Sequence, residues 1–299
     1  MTGLPKPFDG TSNAYQCWRE HRLSLVSTQQ ANRTMVFSID SNLKDQEILQ
    51  KLCSDVEHHG FALYQFSDPL DDNEQRKAAV NLYAELGLAD ADDGVLIGAD
   101  NLSLLENSVN TERKRFVPYS DRAMNWHTDG YYNAQDAHVR SFCLHCLQPA
   151  AIGGELTILD DELLLIALYD RYPYCVKPLT HPQAMLLPKS RDELGPDRPD
   201  RVVPVFSVDN NQRLLTRFTT RQRNIDWRDE NTLDAARTAS ELLNQLKHWH
   251  TTLKLQAGQG IITRNILHCR TSFVDHDKNS GRKILRGRYQ QAPNLASVT

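Results

Sequence analysis

The chain has 299 residues, enough for one large domain or two ordinary ones, and 40% hydrophobic with 24% charged residues excludes wholesale disorder. The formal net charge of −4, the pI near 6.3 and the lack of a long basic run give no electrostatic reason to expect nucleic acid. The opening residues have no apolar core behind a positive start, no stretch approaches the ~18–20 apolar residues of a membrane span, and six scattered cysteines do not make a disulfide framework; a reducing cytoplasm is the expected setting.

Residues 1–40 read as an irregular lead-in. Ile48, Leu49, Leu52 and Val56 recur at helical spacing over 44–59, and Gly60 follows as a stop. FALYQF (61–66) is a short apolar, aromatic run that predicts a buried strand. A second helix carries Ala79, Leu82, Tyr83 and Leu86 on one face, with Gly87 at its end. Between 139 and 160 two strand-like runs flank a Pro/Gly break, and 161–170 form a short helix. Residues 175–202 hold five prolines and read as a long excursion. VPVFSV and QRLLTRF predict a hairpin around Asp209, Asn210 and Asn211. A third helix is expected from Asn231 as N-cap, and GIIT and KILRGRY are short strands near the C-terminus. Cys143 and Cys146, three apart on a strand, point to opposite faces and so read as structural rather than as a zinc pair.

Short, turn-bounded strands without an internal repeat favour one catalytic domain over 1–299. The expected fold is α+β, mainly β: a double-stranded β-helix (jelly roll) with flanking N-terminal helices and a helical insertion over 161–255 that covers the barrel mouth. No Gly-rich loop joins a strand to a helix, which leaves a dinucleotide fold with little support.

The most informative pentapeptide is Trp126-His127-Thr128-Asp129-Gly130. In an extended segment residues i and i+2 share a side, so His127 and Asp129 can reach one ion together. Two histidines and one carboxylate on one face of iron(II) leave three positions open for substrate and oxygen. His268, just after the strand-like GIIT, is the best third ligand; it lies 141 residues beyond His127, so the site closes across the fold.

NWHTDGYYN (125–133), GGELTILD (153–160), ILHCRTSF (266–273) and RKILRGRY (282–289) resemble the taurine dioxygenase-like family of iron(II)/2-oxoglutarate enzymes, which includes γ-butyrobetaine hydroxylase and clavaminate synthase. The family order is HxD or HxE, a GG turn, a distal His, then an Arg-x-x-x-Arg pair. The resemblance implies that His127, Asp129 and His268 hold Fe(2+), that Arg282 grips the distal carboxylate of 2-oxoglutarate, and that Arg286 contacts an acidic group of the primary substrate. Arg282, Arg286 and Arg288 share a face if the segment is a strand, with Arg282 and Arg286 roughly 13 Å apart, so Arg288 is an alternative for either role. Several family members carry Thr directly after GG and one acidic residue, where it helps bind 2-oxoglutarate; here Leu156 stands there and Thr157 follows. Tyr131 and Asn133 are candidate substrate contacts at the pocket mouth.

The implied reaction consumes O2 and 2-oxoglutarate, releases succinate and CO2, and hydroxylates an unactivated C–H bond of a small, anionic, carboxylate-bearing substrate. Desaturation or cyclisation would use the same cofactors. A zinc hydrolase and a non-catalytic binding protein on the same fold are the other readings. The sequence leaves the oligomeric state open.

Overall fold

The computed structural model describes residues 4–32, 35–92, 96–107, 111–114, 116–189, 198–221, 225–275 and 281–295. Ten strands make its two principal sheets. They are β1 (Val36–Ile39), β2 (Phe61–Phe66), β3 (Ser103–Glu106), β4 (Met124–His127), β5 (Ser141–Gln148), β6 (Leu156–Leu159), β7 (Thr251–Leu253), β8 (Gln259–Thr263), β9 (Leu267–Arg270) and β10 (Lys283–Tyr289). The larger sheet runs β1-β2-β8-β5-β10-β3 and the smaller one β7-β6-β9-β4. All pairings in them are antiparallel except β1 with β2.

Alternation along the strands divides each sheet into a core face and a helix face. Phe61, Leu63 and Ile261 of the larger sheet meet Leu156 and Ile158 of the smaller one in a shared core. Their neighbours Ala62, Tyr64 and Ile262 face the other way. There they pack against α2 (Gln46–His59) and α3 (Asp72–Glu85). On the far side of the smaller sheet, Leu159, Leu267 and Trp126 pack under α4 (Asp161–Arg171) and α5 (Glu230–Gln245). The order is therefore helices, sheet, sheet, helices, with the space between the sheets left for the site.

The ends of α2 and α3 follow from local chemistry. Asp45 caps α2 by accepting from the Ile48 amide, and Gly60 closes it at φ 84°, where a Cβ would be strained. Asp71 and Glu74 form a reciprocal capping box on α3. Cys143 lies in the helix-side core and Cys146 in a separate inner cluster, as strand alternation requires. All six cysteines are free thiols, and among the described residues no helix is long and apolar enough to cross a membrane.

Three expectations are corrected. Residues 1–40 are not an irregular lead-in: α1 (Asn13–Asn32) and β1 occupy most of them. α1 is held by tertiary contacts, with Trp18 edge-on to Phe8 at 5.0 Å and Arg19 paired to Asp170 at 2.7 Å, rather than by a regular apolar stripe of its own. α5 begins two residues earlier than expected. Asp229, not Asn231, is its N-cap, and its carboxylate accepts from the Thr232 amide. The 161–255 range is not all insertion either, because β7 lies inside it and pairs with β6.

A buried ionic knot ties α1 to the loop between β8 and β9. Asp160, Asp161 and Glu162 stand side by side at the start of α4. Arg22 bonds Asp160 and Glu162 from one side, and Arg264 reaches the same two at 3.1 and 3.2 Å from the other. Asp161 accepts from the Thr216 hydroxyl, and burial and the Asp160 charge push its pKa up to about 7. A carboxyl with a raised folded pKa supports the fold while protonated, and that support is lost as pH rises from about 4 through about 7. Asp161→Asn should therefore melt on the order of 2–6 °C above wild type at pH 8 and lose that advantage at pH 4, with Tm measured at both.

Candidate metal centre and anion pocket

β9 runs between β6 and β4, and its register puts His268 directly opposite His127. β4 ends at His127. The chain then turns at Gly130, whose φ of 64° and contact with Val139 leave no room for a side chain. Asp129 is thereby returned beneath the two imidazoles. The Nε2 atoms of His127 and His268 lie 3.5 and 3.9 Å from Asp129 Oδ1, and one ligand atom from each residue falls within 4.8 Å of the others.

Hydrogen bonding fixes which ring nitrogens face inward. His127 Nδ1 meets the Asn125 carbonyl at 2.8 Å, and His268 Nδ1 meets the Ile266 carbonyl at 3.0 Å. A carbonyl only accepts, so each Nδ1 carries the proton and each Nε2 presents a lone pair. Burial, and then the neighbouring His127, push the His268 pKa down to about 3. Burial opposes ionisation of Asp129, yet Arg286, the His127 bond, Arg288 and His268 together hold its carboxyl well below the usual range. Two imidazole nitrogens and a carboxylate oxygen thus converge on one point. Such a donor set fits a divalent cation and is repulsive without one.

A cavity between the sheets extends from Asp129 and His268 to Arg270 and Arg282, walled by Phe142, Leu144, Leu156 and Ile284. Arg282 is 7% exposed, and its Nη1 has no hydrogen-bond partner among the described residues. Burial pushes its pKa down to about 10. Its Cζ stands 5.2 Å from the Phe273 ring centre, and the Cζ of Arg270 stands 5.0 Å from the same centre. The GG turn shapes this end. Gly153 sits at φ 75° against the Ser272 carbonyl, and Gly154 at φ 78° lies beside the Arg282 side chain. A buried guanidinium with an unpaired N–H among the described residues suits an anion.

The other expected residues divide. Arg286 lines the cavity, with Nη1 3.8 Å from Asp129 Oδ2 and a buried Nε that has no partner. Arg288 shares its face but is spent: it pairs with Asp92 and donates to the Tyr132 hydroxyl at 2.8 Å. Thr157 is not brought to the cavity. Its hydroxyl meets Thr252 at 2.9 Å on the opposite face, while Leu156 points inward. Asn133 is not a free pocket contact, because its amide donates to Asp92 and, at 3.0 Å, to the Ala137 carbonyl. Tyr131 packs edge-on to Tyr132 at 5.2 Å, beside Met185 and Ile225, rather than in the cavity.

Sequence reasoning missed Arg270 and Asn265. Arg270 was legible, since it follows His268 by two on one strand and so shares its face. Its guanidinium donates to the Ser120 carbonyl at 2.9 Å and to the Arg122 carbonyl, fixing the loop that borders the cavity. Nothing in the sequence marks Asn265.

The model of the taurine catabolism dioxygenase TauD, TfdA family matches residues 24–289. The chain belongs to that family. Among curated relatives, it is 25% identical to a uridine-5'-phosphate dioxygenase from Amycolatopsis sp over 268 residues, covering 85% of this chain and 93% of the relative. Among solved structures, asparagine oxygenase in complex with Fe(II), 3-hydroxyasparagine and succinate superposes with a TM-score of 0.62 at 15% identity, over 83% of this chain and 81% of that one. The non-heme iron oxygenase OrfP, solved with Fe, succinate and a dihydroxy-L-Arg, gives 0.61 at 13% identity over 84% and 82%. These likenesses give the fold of the TauD family to the sheets described above.

Proposed function

We propose that the protein is an iron(II)- and 2-oxoglutarate-dependent oxygenase that hydroxylates a C–H bond of a small anionic molecule. The carrying observation is one cavity lined by Asp129 and His268, which His127 joins as a donor cluster, and by Arg282, whose buried Nη1 has no hydrogen-bond partner among the described residues. That pairing suits a keto acid whose one end chelates a metal and whose other end is a free carboxylate. The two facing sheets fit a double-stranded β-helix, with residues 216–220 of the 161–255 segment bordering its mouth. The bridge from Thr219 to His127, and Arg217 gripping the Asn133 and Ala134 carbonyls, support that placement. Free cysteines support a reducing, cytoplasmic setting.

Iron(II) with bound 2-oxoglutarate supplies oxidative decarboxylation by O2, giving succinate, CO2 and the oxidising power to replace C–H with C–OH. The chain's own residues bind and exclude. His127, Asp129 and His268 would hold the ion, two imidazoles and one carboxylate being a donor set that suits iron(II). Arg282 would hold the far carboxylate, and Phe142, Leu144 and Leu156, which line the same cavity, would keep water from it. Arg286, whose nearest carboxylate among the described residues is Asp129 at 3.8 Å, can orient the anionic group of the substrate. Similarity to an enzyme named for uridine-5'-phosphate makes phosphate esters the first substrates to try, beside amino acids.

The test is a substrate screen read as succinate formation, with iron loaded anaerobically first. Anionic small molecules should stimulate succinate release severalfold over the unprimed rate, and indifference to every anion would remove the substrate assignment. Arg286→Ala should raise the KM for the stimulating substrate about tenfold or more, since a charge-assisted bond contributes roughly 1.5–3 kcal/mol. It should leave 2-oxoglutarate affinity near wild type and increase succinate formed per product. Equal loss of affinity for both would reassign Arg286.

A further inference from the structure

We infer that Asn265 is a positioning residue of the metal centre: its side-chain amide locks the Asp129 turn to the segment that carries His268. The inference rests on the metal reading above and adds what sets the geometry of the site.

β4 brings His127 to His268 by strand pairing, but the strand stops there. Asp129 lies beyond the ladder, and both polar atoms of its backbone are met by one side chain. Asn265 Oδ1 accepts from the Asp129 amide at 2.8 Å, and Asn265 Nδ2 donates to the Asp129 carbonyl at 2.9 Å. The second Nδ2 proton goes to the Val139 carbonyl at 2.7 Å, on the far side of the Gly130 turn. The amide is buried and fully used. It does for one residue what a neighbouring strand would do, across 136 positions of sequence.

The backbone of Asn265 is fixed in turn. It adopts φ 60° in the turn between β8 and β9, and its amide donates to the Thr263 hydroxyl at 3.1 Å. That hydroxyl donates to the Phe142 carbonyl at 3.1 Å, and the Phe142 ring lies 4.3 Å from the His268 ring. On the other side of the turn Arg264 is tied to Asp160 and Glu162. The rigid turn is three residues from one ligand and bonded to the other. A ligand set of this kind works only within about half an ångström of its intended geometry.

Asn265→Gly separates positioning from folding, because glycine accepts the left-handed backbone and deletes only the amide. Asn265→Asp is the second variant: it keeps an acceptor but loses both donors and faces two carbonyls. Each is compared with wild type in Tm, in Fe(II) affinity, in the visible spectrum of the Co(II)-substituted protein, and in kcat and KM. Both variants should bind Fe(II) ~10–100-fold more weakly, the range seen when groups behind metal ligands are removed. The Co(II) spectrum should change, and kcat should fall with substrate KM nearly unchanged. Wild-type iron affinity and an unchanged Co(II) spectrum in folded Asn265→Gly would overturn the inference, as would losses that merely track a lowered Tm. If wild type itself bound no iron, the metal reading would fail instead, so the two failures are distinguishable.

Discussion

His268→Leu should bind Fe(II) at least ~100-fold more weakly than wild type and release no succinate above background. Loss of groups behind the ligands already costs ~10–100-fold, and removal of a ligand must exceed that. Leucine approximates the volume of the imidazole, which matters because His268 is buried against Phe142. It offers no lone pair. His127 and Asp129 would remain 3.5 Å apart, so a residual two-ligand site is expected, weak and open. The measurement is equilibrium dialysis of iron under anaerobic conditions beside a melting curve, to show that the variant is folded. Iron affinity like wild type in a folded His268→Leu would remove His268 from the triad.

Arg282→Ala should leave iron binding intact and weaken 2-oxoglutarate by roughly ten- to a hundredfold or more. Each charge-assisted bond contributes about 1.5–3 kcal/mol, and ~1.4 kcal/mol is tenfold. Arg270 cannot fully replace it, because its own guanidinium is held by the Ser120 and Arg122 carbonyls. Arg282→Lys should recover part of the affinity, since a point charge replaces a fork. Anaerobic titration of 2-oxoglutarate into the iron-loaded variants reads the effect. An unchanged affinity in Arg282→Ala would shift the anchor to Arg270. Arg288, an alternative on strand alternation alone, is already paired with Asp92.

What the sequence made legible was local or periodic. The strand at 61–66, the helix ending at Gly60 and the GG turn each follow from a few neighbouring residues. His127 and Asp129 could be paired because two-residue spacing puts them on one side, and His268 because a strand-like run precedes it. α1 was not legible, because its apolar residues form no regular stripe and its packing partners, such as Tyr169, lie far along the chain. Thr157 and Asn133 were misplaced for a different reason: their side chains are polar and near the motifs, but strand register turns Thr157 outward and the turn consumes Asn133. The choice between Arg286 and Arg288 depended on Asp92, a partner 196 positions from Arg288 that no spacing rule connects to it.

Iron, O2 and 2-oxoglutarate are expected to react together in this site, a coupling with its own isotopic signature. It is tested most directly by turnover under 18O2 with iron-loaded protein, 2-oxoglutarate and a stimulating substrate, followed by mass spectrometry of the succinate. One 18O atom should enter each succinate, succinate should match 2-oxoglutarate consumed, and zinc should not replace iron. Label arriving only from water, or turnover supported by zinc, would mark a hydrolase, and no consumption of 2-oxoglutarate at all would mark a binding protein; either result would contradict the account.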